Sequence, residues 1–207
     1  MALANYTDLQ AAVVVWSNRS DLTSAIGWSN RSDLAALMPD FIALAEERMN
    51  RELRVRQMES ALAETAISAN AIPVASNVVG IKTLWIVGHE SAPLKAQTYE
   101  SVLTMGSEGV PTHWAWAGDG LHFDGSGTVK GVVFEAIPAL SDTNTTNWLL
   151  TKYPSLYLAG ALTEAFIYVQ NDKERDRWNN RFLQTLADIQ GADMRDRLSG
   201  PLAARAR

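Results

Sequence analysis

The sequence predicts an α+β protein: a four-helix bundle with an inserted antiparallel β domain and an extended C-terminal tail. Three observations lead there. Apolar residues recur at three- and four-residue steps on both flanks of the chain. That periodicity stops between residues 60 and 142, where short β-rich runs alternate with glycine turns. Charge is skewed as well, since residues 60–142 hold eight acidic side chains and three lysines while the flanks carry fifteen of each sign. The implied division is 1–59 for the N-terminal helices of the bundle, 60–142 for the β-rich insertion, 143–197 for the C-terminal helices and 198–207 for the tail.

A chain of 207 residues with 47% apolar, 20% charged and 8% aromatic side chains can bury the core of one large or two small domains, which excludes disorder, collagen and coiled-coil rods. Uninterrupted apolar runs such as Ala11 to Trp16 and Leu84 to Val87 fall far short of the roughly 20 residues that span a bilayer, so no membrane helix is expected. The start of the chain lacks a basic segment and reads as folded sequence rather than a signal peptide. Without cysteine there are no disulfides, thiol nucleophiles or zinc–thiolate sites, which fits a reducing compartment. A net charge of −5 predicts no chain-wide attraction to nucleic acid or anionic lipid.

In chain order, the first feature is a tandem: Trp16-Ser-Asn-Arg-Ser-Asp-Leu22 recurs as Trp28-Ser-Asn-Arg-Ser-Asp-Leu34. A twelve-residue step turns a helix face by about 120°, so the two tryptophans cannot share one stripe of a continuous helix. Two brief helical pieces broken at Gly27 are predicted instead, a duplication tolerated in a surface connection. Pro39 then opens an amphipathic helix to about Arg56, with Phe41, Ile42, Ala45, Met49 and Leu53 inward and Glu46, Glu47, Arg48, Arg51, Glu52 and Arg54 on the solvated side.

The predicted strands are Ile81–Val87, Pro111–Ala117, Leu121–Phe123 and Thr128–Ala136, a meander whose turns are Gly118-Asp119-Gly120 and Gly125-Ser126-Gly127. Trp114 and Trp116 share one sheet face, as do Val129, Gly131, Val133 and Glu135. A short helix from Tyr99 to Met105, capped by Thr98, interrupts the strands. Pro154 opens the next long helix, with Leu156, Leu158, Ala159, Leu162, Ala165, Phe166 and Val169 giving near-complete burial, until Asn171 ends it and Asp172 caps the last helix. That helix runs from Lys173 to Ile189 on a Trp178, Phe182, Leu186, Ile189 stripe. Gly160 in mid-helix implies a close neighbouring backbone. Past Arg197, Gly200-Pro201 forbids helix and the chain reads as a basic tail.

No catalytic, cofactor or metal constellation emerges. His113 and His122 could face each other across the hairpin and, with Asp119 or Asp124, ligate a metal, but no spacing is diagnostic and ordinary hairpin histidines are the simpler reading; His89 stands apart. The glycine turns precede no helix, no phosphate-binding Gly-Lys-Ser/Thr exists, and no GxSxG elbow supports a serine hydrolase. Arg48, Arg51, Arg54 and Arg56 form a one-sided cluster interleaved with Glu52 and Glu59, open to a subunit contact or a solvated face ahead of DNA contact. Trp148, just before the Pro154 helix, is a buried joint or a ring contact.

The stretch Thr146-Asn-Trp-Leu-Leu-Thr-Lys-Tyr-Pro-Ser-Leu-Tyr-Leu-Ala-Gly-Ala-Leu162 resembles the signature of bacteriophage head-to-tail adaptor proteins, the connector subunits of short-tailed phages. Asn5 to Gln10, Pro39 to Glu46 and Arg51 to Arg54 resemble that family too, and the order of helix pair, β insertion and helix pair covers nearly the whole chain. The departure is the second copy of the tandem.

The resemblance implies a virion protein of the head–tail junction, made in the host cytoplasm. It would form a twelve-subunit ring with copies of itself between the portal ring and a tail nozzle or tail-tube protein. Genomic DNA would pass through without sequence-specific binding, and no membrane or cofactor would be involved. It also implies that the C-terminal tail seats in grooves of the portal, with Leu202 in an apolar pocket and Arg205 and Arg207 against acidic portal residues. The subunit-contact candidates are Arg48, Arg51, Arg54 and Trp148. Two other classes compete: an adaptor-related peptidoglycan hydrolase, and a DNA-binding packaging protein that would need a basic recognition helix.

Overall fold

A computed structural model describes residues 3–17, 32–105, 109–118 and 120–197. Most of the tandem, including Gly27 and Trp28, the turn residue Asp119 and the 198–207 tail with Leu202, Arg205 and Arg207 lie outside the described residues. Among those described, the protein is a mixed α/β structure with six α-helices and two sheets. It divides into two compact units, one formed by residues 1–55 with 137–207 and the other by 56–136.

In the first unit, helix α1 is Tyr6–Ser17, α2 Ser32–Glu52, α4 Trp148–Lys152, α5 Pro154–Tyr168 and α6 Asp172–Arg197. The Asn5 side chain accepts from the Asp8 N–H (2.9 Å) and starts α1. Helix α5 is the central element and touches α1, α2 and α6. Its composition explains this: Leu156, Tyr157, Ala159, Gly160, Ala161, Leu162, Thr163, Ala165 and Phe166 are all buried, so the helix is apolar nearly all round. Phe41, Ile42, Ala45 and Met49 of α2 and Phe182 and Leu186 of α6 are buried as their spacing predicts. Gly160 lies where they converge. A Cβ there would stand 3.0 Å from the Ala45 Cβ, 3.2 Å from Met49 Cε and 3.3 Å from the Phe182 ring.

Four helix boundaries differ from expectation. Helix α2 begins at Ser32, so Pro39 sits inside it on an exposed position rather than in the first turn, where its missing N–H leaves one intrahelical hydrogen bond unmade. The same helix ends at Glu52, short of Arg56; Gln190 Nε2 donates to the Glu52 carbonyl (2.9 Å) and ties that end to α6. Helix α5 ends at Tyr168 through Gln170 in the left-handed region (φ 58°), and Asn171, not Asp172, caps α6 by accepting from the Glu174 N–H at 3.3 Å. Helix α6 also outlasts its predicted end at Ile189 and runs on to Arg197, with Asp193 buried and paired to Arg197 at 2.7 Å.

The second unit holds a 3₁₀ turn (Arg56–Met58), strands β1 Glu59–Ala66, β2 Ala71–Pro73, β3 Val78–Ile86, β4 Lys95–Ala96, β5 His113–Ala117, β6 Gly120–Phe123 and β7 Thr128–Glu135, and helix α3, Tyr99–Thr104. Thr98 caps α3 as predicted, accepting from the Ser101 N–H. The strands do not form one meander. They make a three-stranded sheet, β1-β7-β3, and a four-stranded sheet, β2-β6-β5-β4. The β4–β5 pair is parallel, so the unit is not wholly antiparallel.

Only β5 and β6 form the predicted hairpin. At Gly125-Ser126-Gly127 the chain changes sheets, and a Cβ on Gly125 would lie 2.5 Å from the Gly109 carbonyl, so glycine is what lets the two backbones pass. Ile72, Leu121 and Phe123 from one sheet and Leu84, Ile86 and Val129 from the other close over a common core with Leu94. Val129, Gly131 and Val133 face inward together, as their alternation predicts.

No strand is predicted at Glu59–Ala66, and its composition explains why: Glu-Ser-Ala-Leu-Ala-Glu-Thr-Ala contains few β formers. Pairing with β7, Glu59 opposite Phe134 and Leu62 opposite Gly131, overrides that preference.

Candidate functional site

The predicted contact arginines on α2 and just past its end are largely engaged within their own unit. Arg48 Nε bonds Glu52 Oε1 at 3.0 Å while its guanidinium lies 4.3 Å over the Phe182 ring. Arg51 forms an exposed pair with Glu47 at 3.4 Å. Arg54 Nη1 donates to the carbonyls of Asn50 (2.6 Å) and Leu53 (2.5 Å), covering backbone acceptors that the end of a helix leaves open. Of the three, Arg51 is the exposed one.

Trp148 is half-buried at the start of α4. The residue before it organises the local chain. Asn147 Oδ1 accepts from the Leu150 N–H (2.8 Å), and its Nδ2 donates to the Pro138 carbonyl (2.8 Å) and to the Tyr157 hydroxyl (2.6 Å). Tyr157 in turn donates to Glu46 Oε1 at 2.9 Å, and the same oxygen accepts from the Leu140 N–H at 2.9 Å. Nearby, Asn50 Oδ1 accepts from the Ile137 N–H at 2.8 Å.

The irregular segment 137–147 is thereby fastened to α2 and α5 by side chains that replace the ladder partners its backbone lacks. Glu46 belongs on the solvated side by helical spacing, yet it is buried, unlike exposed Glu47. Donors from two distant elements draw it inward. Burial raises its carboxyl above the ordinary range and outweighs the two hydrogen bonds. Burial likewise raises the Tyr157 hydroxyl, and the neighbouring Glu46 charge adds to it.

The histidines separate. Register sets His122 opposite Ala115, not opposite His113. His122 meets Tyr99 edge to face with ring centroids 4.8 Å apart. His113 Nδ1 lies 3.0 Å from Asp124 Oδ2, and Asp124 also accepts from the backbone N–H of Thr112 (2.9 Å) and of His113 (3.0 Å) and from the Thr112 hydroxyl (2.9 Å). Burial alone would raise the Asp124 carboxyl, but these bonds with His113 and Thr112 prevail and hold it below its usual value. The carboxylate therefore works as a staple at the mouth of the β5–β6 hairpin. No group of three His, Cys, Asp or Glu among the described residues could hold a metal ion.

Residue spacing does not single out a cleft of about 480 Å³ lined by Trp16 and by Arg177, Trp178, Asn180, Arg181, Gln184 and Thr185 of α6. Its one signal in the sequence is that positions 177, 178, 181, 184 and 185 share a helix face.

Compared with known families, residues 4–205 match the one described as SU10 adaptor protein. The chain belongs to that family. It is a phage adaptor protein, and the match draws on both units. No curated protein matches the chain. For an adaptor, the useful surfaces are those that meet other proteins, and no helix among the described residues is long and apolar enough to cross a membrane.

Proposed function

We propose that this adaptor is a structural virion protein of a short-tailed phage. Twelve copies form a ring between the portal and a tail nozzle or tail-tube protein, and genomic DNA passes through without sequence-specific binding. The observation that carries the reading is the family match over residues 4–205. Physical chemistry supports it: a closed ring repeats one heterologous contact by rotation, and helices carrying both charge signs can supply two unlike matching faces. A net charge of −5 suits passage of a polyanion better than its capture.

In this reading the long helices form a four-helix bundle that builds the ring wall, and exposed Arg51 joins Arg48, Arg54 and Trp148 as the subunit contacts. The C-terminal tail, with Leu202, Arg205 and Arg207, anchors each copy to the portal. The protein does no chemistry of its own.

Electron microscopy of the protein mixed with its portal tests the proposal. Twelve-fold rings seated on the portal are expected. Protein that leaves the portal bare while clearing cell-wall substrate would favour the peptidoglycan hydrolase. Protein that shifts duplex DNA with a steep salt dependence would favour the packaging protein.

A further inference from the structure

The cleft between the end of α1 and the exposed side of α6 is built around two indoles. Trp16 and Trp178 meet edge to face with centroids 5.7 Å apart, and the Arg181 guanidinium lies 5.7 Å over the Trp178 ring. Trp178 is buried and serves as a fixed platform, while Arg181, Asn180 and Gln184 are exposed around it. Arg175, Arg177 and Arg197 of the same helix each hold a carboxylate of their own helix. Arg181 has no carboxylate partner among the described residues.

A guanidinium resting on an indole face keeps its N–H edge turned outward, ready for two parallel hydrogen bonds, and the amides of Asn180 and Gln184 add donors beside it. This is chemistry for a carboxylate. A polyanion such as DNA fits poorly, because α6 balances six acidic against six basic residues and offers no run of unpaired positive charge to a line of phosphates, whereas the Arg181 fork needs only a single carboxylate.

We propose that the cleft receives an acidic side chain from the β unit of a neighbouring copy of this chain. Residues 56–136 hold eight acidic and four basic residues, so that unit is the acidic part of the molecule. Two of its carboxylates, Glu64 on β1 and Glu100 in the first turn of α3, are exposed and form no ion pair among the described residues. A cationic cleft on one unit and an acidic surface on the other are two unlike faces, which head-to-tail closure of a ring requires. The inference rests on the ring reading above and names the contact that closes it.

The test is assembly of the full chain on purified portal rings, followed by electron microscopy and sedimentation at moderate salt. Arg181→Glu should lower the melting temperature by no more than a few degrees, the effect of losing one exposed contact with the Trp178 ring, and should raise the concentration needed for ring closure by about tenfold or more, the ordinary effect of losing an interface arginine. Arg181→Lys, which keeps charge but not the planar fork, should fall between. Combining Arg181→Glu with Glu64→Arg or Glu100→Arg should restore closure.

Rings of Arg181→Glu that form as readily as wild type would overturn the inference, as would failure of both reversals to restore them, or a loss of oligonucleotide binding in their place. Wild-type protein that forms no ring on portal at all would fail the ring reading itself and take this contact with it.

Discussion

Glu46 sits among apolar neighbours with its charge facing two hydrogen-bond donors, and the balance of these effects has a measurable sign. Its folded-state pKa lies above the ordinary value of 4.5, so the folded protein holds this proton more tightly than the unfolded chain. The stability so contributed is fully present below the unfolded value and is lost as pH rises through the folded one. Glu46→Gln keeps an acceptor for the Leu140 N–H and the Tyr157 hydroxyl without the charge. Urea unfolding from about pH 4 to about pH 7 should therefore show wild type losing stability relative to the variant as pH increases. A parallel course for the two proteins would show that the carboxylate is not held against burial. Tyr157→Phe removes one donor to Glu46 and strands the Asn147 amide in a buried site, and should cost about 1–3 kcal/mol at any of these pH values.

At the scale of elements, α5 and β7 are the two around which each unit packs. Phe166 on α5 is 1% exposed, and its truncation leaves a void that packed helices fill poorly, so Phe166→Ala should lower stability by about 3–5 kcal/mol. An unchanged denaturant midpoint would mean that this face is not the buried one. Gly131 on β7 is opposed by both neighbouring strands, and a Cβ there would lie 2.5 Å from the Thr83 carbonyl and 3.2 Å from the Leu84 Cα. Because backbone rather than a flexible side-chain tip stands in the way, Gly131→Ala should separate β3 from β7 and cost about 1–3 kcal/mol or more; a melting curve that overlays wild type would contradict the register of that sheet. Glu59–Ala66 shows the limit of local reading. Its residues favour helix in isolation, and only the neighbouring β7 ladder makes them a strand.

For the whole molecule, two further outcomes probe assembly. Trp148 follows a residue tied to Pro138 and Tyr157, and Leu149 and Leu150 behind it are fully buried. Trp148→Ala should lower either the melting temperature of the isolated protein or the yield of rings on portal, and a variant normal in both would remove Trp148 from the contact set. If the tails anchor each copy as proposed, deleting residues 199–207 should leave the melting temperature in place and reduce occupancy of the portal, since many weak tails acting together would supply that affinity. Undiminished occupancy would locate the anchor elsewhere.

What the sequence determined by itself is local. The stripes of α2, α5 and α6 and the shared face of Val129, Gly131 and Val133 follow from 3.6-residue and two-residue periods, and the Thr98 cap, the Pro154 start and the tight approach at Gly160 follow from what those single residues do to the backbone; the chain carries both wherever it folds. Only the tertiary structure turned Glu46 inward, changed sheets at Gly125, separated His113 from His122 and set Trp16 against Trp178 beside Arg181. The cleft and the buried carboxylate depend on partners far along the chain, Trp16 with Trp178 and Glu46 with Tyr157. A charge or an indole takes its final environment from whichever distant groups can satisfy it, and no period in the sequence encodes which groups those are.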